Sequence, residues 1–275
     1  MAHKVAIIGG GNMGYAFASS MVREKVVDPD DLYIIDRDEA TRLRISTELG
    51  CHVAHEINQN ISKFEYLIVA VKPQSFVEVG RELAAFISDE QVVISIMAGV
   101  TISVMEKILH TPSIVRAMPN TPCQYGKGVT GYYMTDATEK KASVVQQLLE
   151  ATGKAVKVES ESDIDAVTAI SGSGPAYFYY FVQSLTEAAQ ALGLKQDVAE
   201  LLVEQTMEGA HELIRRRSGN YEDLIKAVKS KGGTTEAALQ AFEEDKFNTI
   251  LASAVTKARD RAGVLSKMIE DDTVG

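Results

Sequence analysis

The chain has 275 residues, a net charge of −10, 45% hydrophobic and 24% charged residues, the balance of a soluble globular protein with room for one large domain or two ordinary ones. That acidity leaves no basic footprint for nucleic acid or for an anionic membrane, and no apolar run reaches bilayer-spanning length. The two cysteines, Cys51 and Cys123, are too few for a disulfide scaffold and lack metal-ligand spacing. The first residues read as a strand rather than a secretory leader. The expectation is a cytoplasmic protein that holds no metal, binds neither nucleic acid nor membrane, and grips any anionic ligand with local donors.

Residues 4–14 read KVAIIGGGNMG. Val5–Ile8 is a β-branched run that predicts a buried strand, Gly9, Gly11 and Gly14 fall in the spacing G-x-G-x-x-G, and residues 15–23 have helical composition. Strand, glycine turn and helix together predict a dinucleotide site. Gly9 permits the tight turn, Gly11 lets backbone approach a diphosphate, and Gly14 lets the helix pack close to the strand. The diphosphate is then placed on free N–H groups at a helix N-terminus. A second strand over 31–36 (DLYIID) ends in Asp36, 22 residues beyond Gly14. An acid at about that distance binds the adenosine ribose hydroxyls and favours NADH. Arg37 follows at once and suits the 2′-phosphate of NADPH, so the two residues point to opposite cofactors. Asp36 also reads as a cap for the next helix.

A helix over 38–49, a short strand over 51–54, a strong strand over 66–71, a helix entered by Pro73 and running through 87, a strand over 91–96, a helix over 103–109 and a strand over 113–118 complete a repeating β-α-β pattern. That pattern predicts a mostly parallel sheet with helices on both faces. Ligands of such sheets bind beyond the carboxyl ends of the strands, which makes residues 70–73 and 96–98 candidates to line the cofactor groove. Residues 118–122 (MPNTP) form an irregular turn. Edge strands over 129–134 and 155–158 flank a helix over 139–151. Beyond residue 159 only helices are expected, over 176–192, 196–217, 221–229, 235–244 and 246–268, with 270–275 a frayed tail. The fold class is therefore α/β: an N-terminal Rossmann-type dinucleotide-binding domain, residues 1–160, followed by an all-helical domain, residues 161–275. The run AYFYYFVQSL from Ala176 is apolar all round and predicts a helix buried on all sides. So small a domain cannot cover it alone, and a subunit interface would take the remainder. Between two helices lies Ser230-Lys231-Gly232-Gly233-Thr234-Thr235, which reads either as an anion hole at a helix start or as a plain turn with a threonine cap.

Five motifs, VAIIGGGNMG at the start, AVKPQ at 70–74, RAMPNTP at 116–122, SGSGPAY at 171–177 and GGTTEAAL at 232–239, together resemble the pyrroline-5-carboxylate reductase family along essentially the whole chain. The resemblance implies reduction of Δ1-pyrroline-5-carboxylate to L-proline with NADPH or NADH, the last step of proline biosynthesis. It also implies a homodimer through the helical domain, extended in many members to a decamer, a pentamer of dimers. By the same resemblance Ile8, Gly9, Gly10, Gly11, Asn12 and Met13 bind the cofactor diphosphate, with Gly14 behind them. Ala70, Val71, Lys72, Pro73, Ile96, Met97 and Ala98 lie against the ribose and nicotinamide. Ser230 and the N–H groups of Gly233, Thr234 and Thr235 hold the substrate carboxylate. The Thr235 hydroxyl bonds the ring nitrogen as the catalytic donor, and Glu161 stands at the mouth of the site. Lys231 stands where many relatives have proline. A cyclic imine needs a hydride at carbon and a proton on nitrogen, so positioning and electrostatics suffice, and none of the five histidines stands out as a catalyst. A rival, the β-hydroxyacid dehydrogenases, requires a lysine and an asparagine on the first long helix, where this chain has Phe178 and Val182. Another imine reductase, or a non-catalytic nucleotide-binding protein with no need for the Ser230 loop, completes the alternatives.

Overall fold

The computed structural model describes residues 3–216 and 219–274. Arg217, expected to end a helix, and Gly275, expected in the tail, lie outside the described residues. The chain divides into two compact units, one made of residues up to 175 together with those from 257, the other of residues 176–256.

The first unit is built on an eight-stranded sheet: β1 (Val5–Ile8), β2 (Leu32–Ile35), β3 (His52–Ala54), β4 (Tyr66–Val69), β5 (Val92–Ser95), β6 (Ile114–Met118), β7 (Gly128–Met134) and β8 (Gly153–Lys157), in the order β3-β2-β1-β4-β5-β6-β7-β8. All neighbours are parallel except β6 and β7. β1, β2, β4 and β5 are buried at every residue, as central parallel strands covered on both faces must be. Strand alternation divides their side chains between two cores. Val5 and Ile7 share one with Phe17 and Met21 of α1 (Asn12–Arg23), Ile45 of α2 (Glu39–Leu49) and Leu148 of α5 (Ala142–Glu150). Ala6 and Ile8 share the other with Phe76 and Leu83 of α3 (Phe76–Ala84) and Met105 and Leu109 of α4 (Ile102–Leu109). Because β1 lies between β2 and β4, the strand order reverses there, and a crevice opens beyond the carboxyl ends of β1 and β4.

Several boundaries differ from expectation. The strand after residue 128 is not an edge: β8 pairs outside it, with Gly128 opposite Gly153. A Cβ on Gly153 would lie 2.1 Å from the Gly128 carbonyl oxygen, so this close pairing depends on glycine. Pro73 opens a 3-10 turn, Pro73–Ser75, before α3, which stops at Ala84 rather than 87. A short helix α6 (Asp163–Val167) and a π-helical turn, Thr168–Gly172, precede α7 (Gly174–Ala191). The final helix, α11 (Phe247–Val274), runs on through the residues expected to fray.

In the second unit, the rest of α7 is followed by α8 (Gln196–Arg216), α9 (Tyr221–Val228), α10 (Thr234–Glu244) and the first part of α11, with no strand among the described residues. Asn220 and Asp223 close α9 with a reciprocal capping box. α7 is not buried all round within the single chain: Phe178, Tyr179 and Tyr180 are 65%, 66% and 72% exposed.

Candidate active site

Gly9 leaves β1 with a φ of +104° and donates its N–H to the Ile35 carbonyl at 2.8 Å. A Cβ there would lie 2.8 Å from the Ala70 oxygen, so one glycine joins the ends of β1, β2 and β4. Gly14 is constrained further, since its Cβ would sit 1.9 Å from the Gly9 oxygen; α1 is seated directly on the turn. Gly11 is the N-cap of α1, with open space where a Cβ would go and no side-chain cap. The first N–H groups of α1, at the positive end of its dipole, therefore keep their donors for an anion.

Asp36 is tied into this turn. Its Oδ2 accepts from Gly10 N at 2.7 Å and its Oδ1 from Asp38 N at 2.8 Å. It does not cap α2: Asp38 does, accepting from Thr41 N at 2.7 Å, and the Thr41 side chain, with its N–H second, holds the Asp38 carboxyl below the usual carboxylate range. The reason is spacing, because an N-cap side chain reaches N–H groups two or three residues on and Asp36 lies too far back.

Ile8, Gly9, Gly11, Asp36, Arg37, Ala70, Val71 and Lys72 come together around a cleft of about 280 Å³. Gly10 and Gly14 are buried behind it, Met13 packs against the core, and Asn12 is exposed at the start of α1. Pro73 begins the 3-10 turn, while Ile96 and Met97, buried, and Ala98, exposed, follow β5 outside the cleft lining. The sequence reading missed His55, Glu56 and Glu82, which also line the cleft. It missed too that Arg37 Nη2 donates to Glu78 Oε1 at 2.9 Å and to Glu82 Oε1 at 3.0 Å. Glu78 and Glu82 stand one helical turn apart, and only the sheet order brings α3 to the end of β2. Among the described residues no cluster of His, Cys, Asp or Glu could hold a metal ion.

Glu161 lies elsewhere in the same unit, in a clasp around Arg116. Arg116, buried on β6, donates to Glu161 Oε1 at 3.0 Å and to Asp165 Oδ1 at 3.2 Å, and its Nη2 is 3.5 Å from Ser266 Oγ. Glu161 Oε1 also accepts from Ile102 N at 2.8 Å, at the first turn of α4. Two carboxylates around one guanidinium satisfy a charge that would otherwise be costly to bury. The RAMPNTP motif contained Arg116, but nothing local in it announced these partners.

In the second unit the Ser230 loop leads into α10, whose N-cap is Gly233 with no side-chain cap. Gly233 N donates to the Ser230 oxygen at 3.0 Å, and a Cβ on Gly233 would lie 2.3 Å from Ser230 Oγ. Gly232, at φ +73°, donates to Glu236 Oε2 at 2.7 Å, and Lys229 Nζ lies 3.4 Å from Glu236 Oε1. The Gly232 N–H, and after it Lys229, hold the Glu236 carboxyl below the usual carboxylate range. Thr234 and Thr235 occupy the first turn, where N–H groups have no intrahelical acceptor. Thr235 is half-buried, and Ser230 and Thr234 are exposed.

Residues 161–265 match the family described as pyrroline-5-carboxylate reductase dimerisation. Residues 4–99 match the one described as NADP oxidoreductase coenzyme F420-dependent. The chain is 32% identical to the pyrroline-5-carboxylate reductase of Pseudomonas aeruginosa over 268 residues, 97% of this chain and 98% of that protein. Among solved structures it is similar to a pyrroline-5-carboxylate reductase from Coxiella burnetii, with a TM-score of 0.91 and 33% identity over 96% of this chain and 99% of that one. It is also similar to the Plasmodium falciparum pyrroline carboxylate reductase with NADP bound, with a TM-score of 0.80 and 27% identity over 96% of this chain and 98% of that one.

Proposed function

The chain belongs to the pyrroline-5-carboxylate reductase family, and from that premise we propose that it reduces Δ1-pyrroline-5-carboxylate to L-proline with NADH or NADPH, the last step of proline biosynthesis. The observation that carries the reading is the glycine turn seated under α1, where only glycine fits at Gly9 and Gly14 and the helix N-terminus is left uncapped. That cradle fits a dinucleotide: Ile8, Gly9, Gly10, Gly11, Asn12 and Met13 hold the diphosphate, Asp36 and Arg37 meet the adenosine ribose, and residues 70–73 and 96–98 meet the nicotinamide half. When bound, the reduced nicotinamide supplies the hydride.

The rest of the work falls to the chain's own groups. The Ser230 hydroxyl and the N–H groups of Thr234 and Thr235 hold the substrate carboxylate at the positive end of α10, while Gly233, whose own N–H is engaged by the Ser230 oxygen, shapes the turn beneath it. The Thr235 hydroxyl, which no helix cap employs, hydrogen-bonds the ring nitrogen. It orients an imine that enters largely protonated and stabilises the product amine. Residues 1–160 serve the cofactor and residues 161–275 the substrate and the dimer contact. The exposed aromatic residues of α7 and the dimerisation match support a homodimer; a decamer as its higher assembly and a cytoplasmic location enter the proposal from the family resemblance alone.

The test is direct. The purified chain is mixed with the imine and reduced cofactor, loss of reduced cofactor is followed by absorbance, and proline is identified by amino-acid analysis. We expect proline in equal amount to cofactor oxidised. A folded, cofactor-binding chain that forms no proline would overturn the proposal.

A further inference from the structure

NADH and NADPH differ only by a phosphate on the adenosine ribose, which in folds of this type lies just beyond the carboxyl end of β2. Arg37 is the cation at that place, and it is already engaged by Glu78 at 2.9 Å and Glu82 at 3.0 Å. A second cation nearby, Arg42, directs Nη1 to the carbonyl oxygens of Asp36 and Arg37 and to His55. Asp36, Glu56 and Glu82 line the cleft against Arg37 and Lys72. We propose that Glu78 and Glu82 neutralise Arg37 and so set a preference for NADH over NADPH, acting as specificity-determining residues through that arginine.

The inference rests on the dinucleotide reading of the cleft. Exposed ion pairs are individually weak, so the preference comes from the local sum of charge rather than from the strength of either pair. A 2′-phosphate brings close to two negative charges at neutral pH. Seated here, it either takes Arg37 from two carboxylates and leaves them beside it, or remains next to Asp36, Glu56, Glu78 and Glu82. A ribose hydroxyl instead donates a hydrogen bond to a carboxylate. Asp36 retains acceptor capacity for that bond, because each of its oxygens accepts only one N–H.

The experiment is calorimetric titration of the full chain with NADH and NADPH, repeated with 5′-AMP and 2′,5′-ADP, which differ only in the 2′-phosphate. We expect the wild type to bind NADH about 10-fold or more tightly than NADPH, a difference of about 1.4 kcal/mol, and 5′-AMP more tightly than 2′,5′-ADP. The double variant Glu78→Gln with Glu82→Gln should tighten NADPH by about 10-fold and move NADH by less than about 3-fold. Adding Arg37→Ala should abolish that gain. Should the double variant not fold, salt gives the same answer on the wild type: at about 1 M, where screening acts over about 3 Å, the NADH preference should narrow. A wild type that binds NADPH as tightly as NADH, or a ratio moved by neither the variants nor salt, would overturn the proposal while leaving the functional reading intact. Binding of neither dinucleotide would overturn both.

Discussion

At Gly14 a single carbon atom decides whether the glycine turn after β1 can exist. A Cβ would be 1.9 Å from the Gly9 oxygen, and that oxygen belongs to backbone pinned through Ile35, so relief requires α1 to move off the sheet. Gly14→Ala should lose about 1–3 kcal/mol of stability by overpacking, measured by urea denaturation, and most of its dinucleotide affinity. Wild-type affinity in this variant would show that the turn is not the diphosphate site. Asp36 is the other residue whose two roles must be separated. It bonds Gly10 N and Asp38 N, so Asp36→Ser removes the proposed ribose contact and a loop tie together. NADPH use should therefore rise relative to NADH, while loss of the loop tie lowers affinity for both cofactors. At Thr235 the chemistry is cleaner, because Gly233 and not the threonine occupies the N-cap. Thr235→Ala should lower kcat about 10- to 100-fold, roughly 1.4–2.7 kcal/mol of transition-state stabilisation. Ser230→Ala should act mainly on KM, through a carboxylate contact present in ground and transition states alike. An alanine variant at 235 with wild-type kcat would transfer the role to water or to the substrate's own proton.

The element that shapes the Ser230 loop is the first turn of α10, and its anchor is Glu236. This carboxylate accepts from Gly232 N and lies near Lys229, holding Gly232 at its positive φ. Its pKa is lowered from an ordinary 4.5. A carboxyl whose folded pKa is depressed stabilises the fold fully above its unfolded pKa, and that contribution is lost as pH falls through the folded value. The difference in urea midpoint between the wild type and Glu236→Gln should thus be constant at neutral pH, shrink as pH falls below the ordinary carboxylate range, and vanish once pH has passed below the folded value. At neutral pH the variant should also show a raised KM for the imine. A difference that persists unchanged into acid would show that Glu236 acts by packing alone. Glu236 lay in plain view within GGTTEAAL, yet its bond back to Gly232 was not read, because side-chain acceptors compete for loop N–H groups in ways composition does not encode. The strands of β1, β2, β4 and β5 were legible since buried parallel strands are written as unbroken β-branched runs. The interior position of β7 was not, because it depends on Gly128 and Gly153 meeting across the sheet. The Glu78–Arg37–Glu82 and Glu161–Arg116–Asp165 clusters were hidden for the same reason: each joins residues 41 or more positions apart.

For the molecule as a whole, the unanswered surface is the aromatic face of α7. Phe178 and Phe181 are 65% and 47% exposed in the single chain, and at i, i+3 spacing they share one face with Leu185, also exposed. A monomer would leave this surface in water at a cost of about 25 cal/mol per Å² of apolar area, and contiguous exposed apolar patches in soluble proteins mark interaction sites. Residues 161–265 match a dimerisation family, and a two-fold contact uses one patch against itself. Phe178→Asp separates the two states of the chain. In a monomer the new carboxylate would stand in solvent and cost little; in a dimer it would be buried without a partner, which is strongly unfavourable. We expect light scattering to report at least a dimer for the wild type and a shift to monomer for Phe178→Asp, with helicity by circular dichroism retained and activity lost in proportion to dissociation. Wild-type chain that is monomeric and fully active at assay concentration would place the aromatic face outside any functional interface and confine the reaction to a single subunit.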